Sequence, residues 1–97
     1  MALIQVTPEL LRGKAGDLRN LKGQHDDTMR QIKTLVDGLV EQWKGDAQTA
    51  FVQKFNSMQP TFNQFSEMLE NFAKLMDASA TDLEQADLNA KNRIASA

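Results

Sequence analysis

Few side chains in this sequence could carry out chemistry. The single histidine, His25, stands beside Asp26 and Asp27, and a second acidic group, Asp82 and Glu84, lies far along the chain. The 97 residues include no cysteine, which excludes disulfides, thiol catalysis and thiolate zinc sites. We find no nucleophile with a neighbouring base, no glycine-rich phosphate loop and no metal-ligand cluster. The sequence therefore predicts no enzyme, no cofactor and no metal, and these carboxylates are interpreted as solvated helix faces.

Charge and hydropathy limit the partners. The net charge is −2 and the basic residues are scattered, which argues against nucleic acid. An apolar fraction of 41% is typical of a folded chain. No window approaches the ~18 apolar residues of a membrane span. The N-terminus lacks a basic region, and its apolar run over residues 2–4 ends at Gln5, so we predict no cleavable signal peptide.

Heptad spacing predicts two long helices. Thr7, Pro8 and Glu9 supply an N-cap, a proline at the first helical position and an acid in the first turn. Two apolar columns then repeat every seven residues in each half of the chain. In the first half one contains Leu11, Leu18, His25, Ile32 and Leu39, and the other contains Ala15, Met29, Val36 and Trp43 and is broken only by Lys22. In the second half one contains Phe51, Met58, Phe65 and Phe72, and the other contains Phe55, Phe62, Leu69 and Met76. This period is typical of left-handed helix packing.

A short turn joins the two halves. Gly45 suits a positive φ that ends the first helix, and Asp46 is predicted to cap the second. Pro60 predicts a kink, because the heptad phase continues through it. The predicted elements are helix one over about 8–41, a turn over 42–46, helix two from 47 and a tail over 83–97, in one domain over 1–97. The fold class is therefore all-α, an antiparallel two-helix hairpin.

The apolar columns are too wide for one hairpin to bury. Each predicted helix carries two columns with further apolar residues beside them, and one partner helix cannot cover both. We therefore predict a four-helix bundle made from two hairpins, with a homodimer as the default and a related hairpin as the alternative partner. The residues predicted to form this hairpin and dimer core are Leu11, Leu18, Ile32, Leu39, Phe51, Phe55, Met58, Phe62, Phe65 and Phe72.

His25 and the tail leave alternatives open. His25 falls in an apolar column, where it is interpreted as a polar residue that sets the register, with a pH switch as the alternative. In the tail, apolar and acidic positions share one helix face through the spacing of Leu83, Asp87, Ala90 and Ile94. Thr81 and Glu84 match a capping box, so a separate terminal helix is the other possibility.

These features together resemble the WXG family of small type VII secretion proteins of Gram-positive bacteria and mycobacteria. The motif is Trp43-Lys44-Gly45 between two amphipathic helices, and the opening IQVTPELLRGKA is similar to that of the family. The tail resembles the family pattern hydrophobe-xxx-Asp/Glu-xx-hydrophobe-xxx-hydrophobe. Leu83 stands where mycobacterial heterodimers carry a tyrosine, which favours the self-pairing branch of the family.

The resemblance implies export by a membrane-embedded secretion ATPase, as a folded dimer and without a cleavable signal. It implies a composite secretion signal, with Trp43 and Gly45 from one copy and the strip of Leu83, Asp87, Ala90 and Ile94 from the other. The protein would be cytoplasmic before export and secreted afterwards. Two other hypotheses remain: an intracellular helical adaptor or coiled-coil module, and a membrane-perturbing effector, although no basic face flanks the Phe-rich stripe as membrane contact usually requires.

Overall fold

The computed structural model of the protein describes residues 6–96. It contains helices α1 (Pro8–Gln42), α2 (Asp46–Ser57) and α3 (Gln59–Ser96), and no strand occurs between residues 6 and 96. α1 packs antiparallel against α3, so the predicted all-α hairpin is confirmed. Residues 1–5, which include the apolar run weighed against a signal peptide, lie outside the described residues.

Local chemistry fixes both ends of α1. The Thr7 hydroxyl accepts a hydrogen bond from the Leu10 amide at 3.1 Å, and Pro8 follows where no backbone donor is needed. At the other end the Trp43 amide donates to the Leu39 carbonyl at 2.8 Å while Trp43 itself turns to an extended conformation. The helix therefore stops at Gln42, directly before the Trp-X-Gly turn.

Gly45 makes the turn possible. The φ of Gly45 is 133°, which residues with a Cβ rarely adopt. Gly45 is also the N-cap residue of α2. Asp46 was predicted to be that cap, and this was wrong. It occupies the first helical position instead, where its carboxylate faces the positive end of the helix dipole.

A single residue, Met58, separates α2 from α3. The Met58 amide donates to the Phe55 carbonyl at 3.1 Å, and the Phe62 amide donates to the Met58 carbonyl at 3.1 Å. Pro60 is the second residue of α3, where its missing N–H removes no hydrogen bond. The chain is thus interrupted at Met58 without a loop, and the heptad phase carries on from α2 into α3.

Small side chains form the buried seam between α1 and α3. The buried apolar residues are Ala15, Val36, Ala73 and Ala80, and no large side chain in the described part of the chain is fully buried. Alanines allow the two backbones to approach closely, but they bury little apolar area. One hairpin therefore has a thin core, and most of its large apolar side chains remain exposed.

The molecule is a rod with an overhang. Its principal extents are 79 × 25 × 20 Å. Thr7, Pro8 and Glu9 at the start of α1 share a small cleft with Asp87 and Lys91 of α3. Since α3 runs on to Ser96, its last turns extend beyond the first residue of α1.

Candidate functional site

One flank of the hairpin is an apolar face. Its side chains are largely exposed, with Leu35 at 65%, Leu75 at 63% and Phe72 at 46%. Spacings of three and four residues place those of α3 on one side of the helix, and spacings of eleven and three residues do the same on α1. We call this set the apolar face: Leu10, Leu21, Ile32 and Leu35 on α1, and Phe65, Met68, Phe72 and Leu75 on α3. Exposed apolar side chains grouped on one side of a protein make that side a candidate interface.

The opposite flank is a polar face that carries ion pairs between the helices. Arg12 pairs with Glu84, and Arg19 reaches Asp77 at 2.8 Å and Glu70 at 3.4 Å. The basic positions are seven residues apart, and so are the acidic ones, as on the flanks of a coiled coil. The hairpin is therefore two-sided, with charge on one broad face and apolar side chains on the other.

The predicted core residues divide into half-buried and exposed side chains. The half-buried ones are Leu11, Leu18, Leu39, Phe55 and Phe62, and the exposed ones are Ile32, Phe51, Met58, Phe65 and Phe72. On α3 the inward row is completed by Ser66, Ala73 and Ala80. This row was missed because it contains small and polar residues, which a count of large apolar side chains passes over.

A polar cluster crosses the seam near its middle. The Ser66 hydroxyl donates to Asp26 at 2.6 Å, and the Lys22 ammonium donates to its second oxygen at 2.9 Å. His25 places Nδ1 3.2 Å from Asp26, and its ring centroid lies 5.1 Å from that of Phe65. The Ser66 and Lys22 hydrogen bonds hold the pKa of the Asp26 carboxyl far below its usual range.

The cluster corrects one interpretation of the sequence. Asp26 was predicted to lie on a solvated face, and this was wrong because its side chain is partly buried between α1 and α3. Asp27 does lie on the solvated face, where it accepts from Gln31 at 2.9 Å within α1. His25 sits in the seam with its side chain 18% exposed. A clue was present in the sequence, because Asp26 continues the seven-residue spacing of Arg12 and Arg19.

Asp26 is expected to give the protein a pH-dependent component of stability. A depressed folded-state pKa stabilises above the unfolded value, and that contribution is lost as pH falls below about 4. Asp26→Asn should cost about 1–2 kcal/mol at pH 7, because hydrogen bonds to a partly exposed charge are lost. Urea unfolding followed by circular dichroism, at fixed protein concentration, should show the gap between wild type and variant shrink from pH 5 to pH 3. Asp27→Asn is the matched control, and an Asp26→Asn gap that is constant with pH would contradict the assignment.

The turn presents an exposed aromatic patch. Trp43 is 38% exposed, and its ring centroid lies 5.9 Å from that of Phe51. Val40 is exposed one helical turn earlier. One side of the indole is therefore packed on the start of α2, while part of it remains open to solvent beside Gly45.

The tail strip lies on a continuous helix. Leu83, Asp87, Ala90 and Ile94 are all exposed. At seven-residue spacing, Asp87 and Ile94 continue the inward row of Ser66, Ala73 and Ala80, beyond the point where that row is buried. The separate terminal helix was wrong: the Thr81 hydroxyl donates to the Asp77 carbonyl at 3.2 Å inside an unbroken α3.

Turn and tail lie at opposite ends of the rod. The turn over 42–46 closes one end, and the tail strip leaves the other end, next to the start of α1. With a longest extent of 79 Å, one chain does not bring Trp43 and Asp87 together. Any site that uses both must therefore be built from two copies.

Residues 3–88 match a family described as proteins of 100 residues with WXG, named WXG100. The chain belongs to the WXG100 family. Its Trp-X-Gly motif is Trp43-Lys44-Gly45, at the turn. WXG100 proteins are small structural or substrate proteins, so the prediction that this chain is not an enzyme is confirmed by its membership.

Several relatives are similar along almost the whole chain. The type VII secretion system extracellular protein A of Staphylococcus aureus is 28% identical over 96 residues, covering 95% of both chains. Protein YukE of Bacillus subtilis is 27% identical over 92 residues, also covering 95% of both. The crystal structure of EsxA from Geobacillus thermodenitrificans is 26% identical with a TM-score of 0.80, covering 93% of this chain and 97% of that one. The secreted protein EsxB of Bacillus anthracis is 26% identical with a TM-score of 0.79, covering 90% and 99%.

The described residues form neither a metal site nor a membrane span. Between residues 6 and 96, no group of three or more His, Asp or Glu side chains is placed to hold a metal ion. Within that same range, none of the three helices is both long enough and apolar enough to cross a membrane.

Proposed function

We propose that this WXG100 chain is a substrate or partner protein of a type VII secretion system, exported as a folded pair of hairpins. The similarity to a type VII extracellular protein along 95% of both chains supports this function. The structure adds an exposed turn motif and an exposed tail strip on a hairpin with no enzymatic role. The protein acts by being recognised.

The separation of the turn and the tail in one chain is the main support for this proposal. They lie at opposite ends of a 79 Å rod, so a signal composed of both needs a second copy. If two hairpins pair antiparallel through their apolar faces, the turn of each copy meets the tail of the other. A parallel pair would place turn beside turn. The antiparallel homodimer therefore forms two composite signals, one at each end of a four-helix bundle.

Each half of this signal supplies a different chemistry. Trp43 offers a partly exposed indole, held in place by Phe51 and by the backbone conformation of Gly45. In the tail, Leu83, Ala90 and Ile94 offer an apolar edge, and Asp87 adds a single negative charge inside that edge. The secretion ATPase is the proposed reader. The protein is cytoplasmic before export.

Export in paired host strains tests this function. The full chain is expressed in a Gram-positive host with and without its type VII ATPase, beside a variant that lacks residues 83–97. We expect wild type in the medium only when the ATPase is present, and the truncated variant in the cytosol of both strains. Wild type confined to the cytosol of the ATPase-positive strain would reject export and favour an intracellular adaptor. Leakage of phospholipid vesicles caused by the purified protein would favour the membrane-perturbing hypothesis instead.

A further inference from the structure

An ion pair of the polar face joins the start of the tail to α1, beyond the last buried residue of α3. Ala80 is the last buried residue of α3, and every described residue after it is exposed. Among the described residues, the Arg12–Glu84 contact is the last ion pair or hydrogen bond between the side chains of α3 and α1. Compared with the Arg19–Asp77 ion pair, Arg12 lies seven residues earlier in α1 and Glu84 lies seven residues later in α3.

The position of Glu84 relates this pair to the tail strip. Glu84 follows Leu83 directly, and successive residues point about 100° apart around a helix. When Glu84 faces Arg12 on the polar face, Asp87 continues the inward row of Ala73 and Ala80, and Leu83 lies on the other side of that row from Glu84. Without that contact, the last turns of α3 are a helix end with no buried side chain, which is the kind of segment that frays.

We propose that Arg12 is a positioning residue for the tail strip, acting through its ion pair with Glu84. The pair fixes where α3 leaves α1 and presents Leu83, Asp87, Ala90 and Ile94 as an ordered, oriented helix. This inference rests on the proposed function, because the strip is itself the proposed signal. The contact also lowers the pKa of the Glu84 carboxyl and raises that of the Arg12 guanidinium, because each charge stabilises the other.

Amide hydrogen exchange of the full-length protein tests the ordering of the tail. With millisecond-to-second labelling and mass spectrometry, Arg12→Gln and Glu84→Gln should each speed exchange across residues 81–90 by about threefold, as expected for loss of an exposed pair. The exchanged pair, Arg12→Glu with Glu84→Arg, should restore the wild-type rate. In wild type, 1 M NaCl should produce the same acceleration, since it shortens the Debye length to about 3 Å.

Lys14→Gln is the matched control, because within residues 6–96 Lys14 pairs only with Asp17 of its own helix, at 3.8 Å. It should leave the exchange of residues 81–90 unchanged. Equal rates in wild type and Arg12→Gln would overturn the proposal. So would a charge exchange that fails to restore the wild-type rate, because the effect would then come from the substituted residues and not from their pairing.

Export gives the readout that a purely structural pair would not change. Arg12→Gln should lower export, and the charge exchange should restore it. Faster exchange with unchanged export would overturn the positioning role. Failure of the proposed function is distinguishable: wild type would then stay in the cytosol, or Asp87→Ala would be exported normally, while the exchange rates would still report the ion pair.

Discussion

Phe72→Glu is expected to convert the paired protein into single hairpins. Phe72 lies in the centre of the apolar face with 46% of its surface exposed, and a second copy is proposed to cover it. A glutamate there would place a charge in a desolvated interface and remove an aromatic contact. We expect the dissociation constant of the pair to rise by at least about 100-fold. Sedimentation velocity across a dilution series, supported by native mass spectrometry, measures the change.

Lys74→Glu is the control for this substitution. It introduces a glutamate on the same helical turn as Phe72, at an exposed position outside the apolar face. Pairing should be unchanged in this variant. If Phe72→Glu and Lys74→Glu pair equally well, the apolar face is not the interface. If the wild-type chain alone is monomeric at micromolar concentration, the partner is a related hairpin and not a second copy.

Trp43→Ala and Asp87→Ala are each expected to reduce export by at least about tenfold. The first removes the indole from the turn patch, and the second removes the single charge from the tail strip. Loss of an aromatic anchor or of a charge-assisted hydrogen bond typically weakens recognition by that factor or more. The measurement is the ratio of protein in medium and cells by immunoblot, with a cytosolic marker to exclude lysis.

Two neighbouring residues provide controls. Lys44→Ala changes the variable position of the Trp-X-Gly motif, and Asp82→Ala removes an exposed acid that lies outside the tail strip. Both should be exported like wild type, and both should pair normally in sedimentation velocity. Normal export of Asp87→Ala would reject the tail assignment. Loss of export in Asp82→Ala as well would show that overall charge, and not the strip, is recognised.

The sequence predicted the hairpin and its turn because local chemistry determines both. Thr7 and Pro8 begin α1 whatever the rest of the chain does, and Gly45 is suited to the conformation that the turn requires. The width of the apolar columns also predicted that a hairpin would leave a surface uncovered. That surface contains Phe65 and Phe72, which a single chain leaves exposed.

The seam was harder to predict, because its residues are not those that a hydrophobic pattern emphasises. Ala73 and Ala80 are buried because close approach of two helices favours small side chains. Asp26 and Ser66 meet across the seam although each is polar and could equally have faced water. Only the three-dimensional register of α1 on α3 identifies such pairs. For the same reason the Thr81–Glu84 pattern was misleading, since Glu84 pairs with Arg12 in space and not with Thr81 in sequence.

The central claim is that turn and tail form a signal across two copies, and a mixed-pair export experiment tests it most directly. Trp43→Ala and Asp87→Ala chains are expressed separately and together, and intact mass identifies each in the medium. Neither should be exported alone. Together, about half of the pairs are mixed if copies pair at random, and each mixed pair has one intact turn beside one intact tail. We therefore predict that both variants appear in the medium when co-expressed. Absence of both from the medium, with mixed pairs present in the cells, would contradict a composite signal.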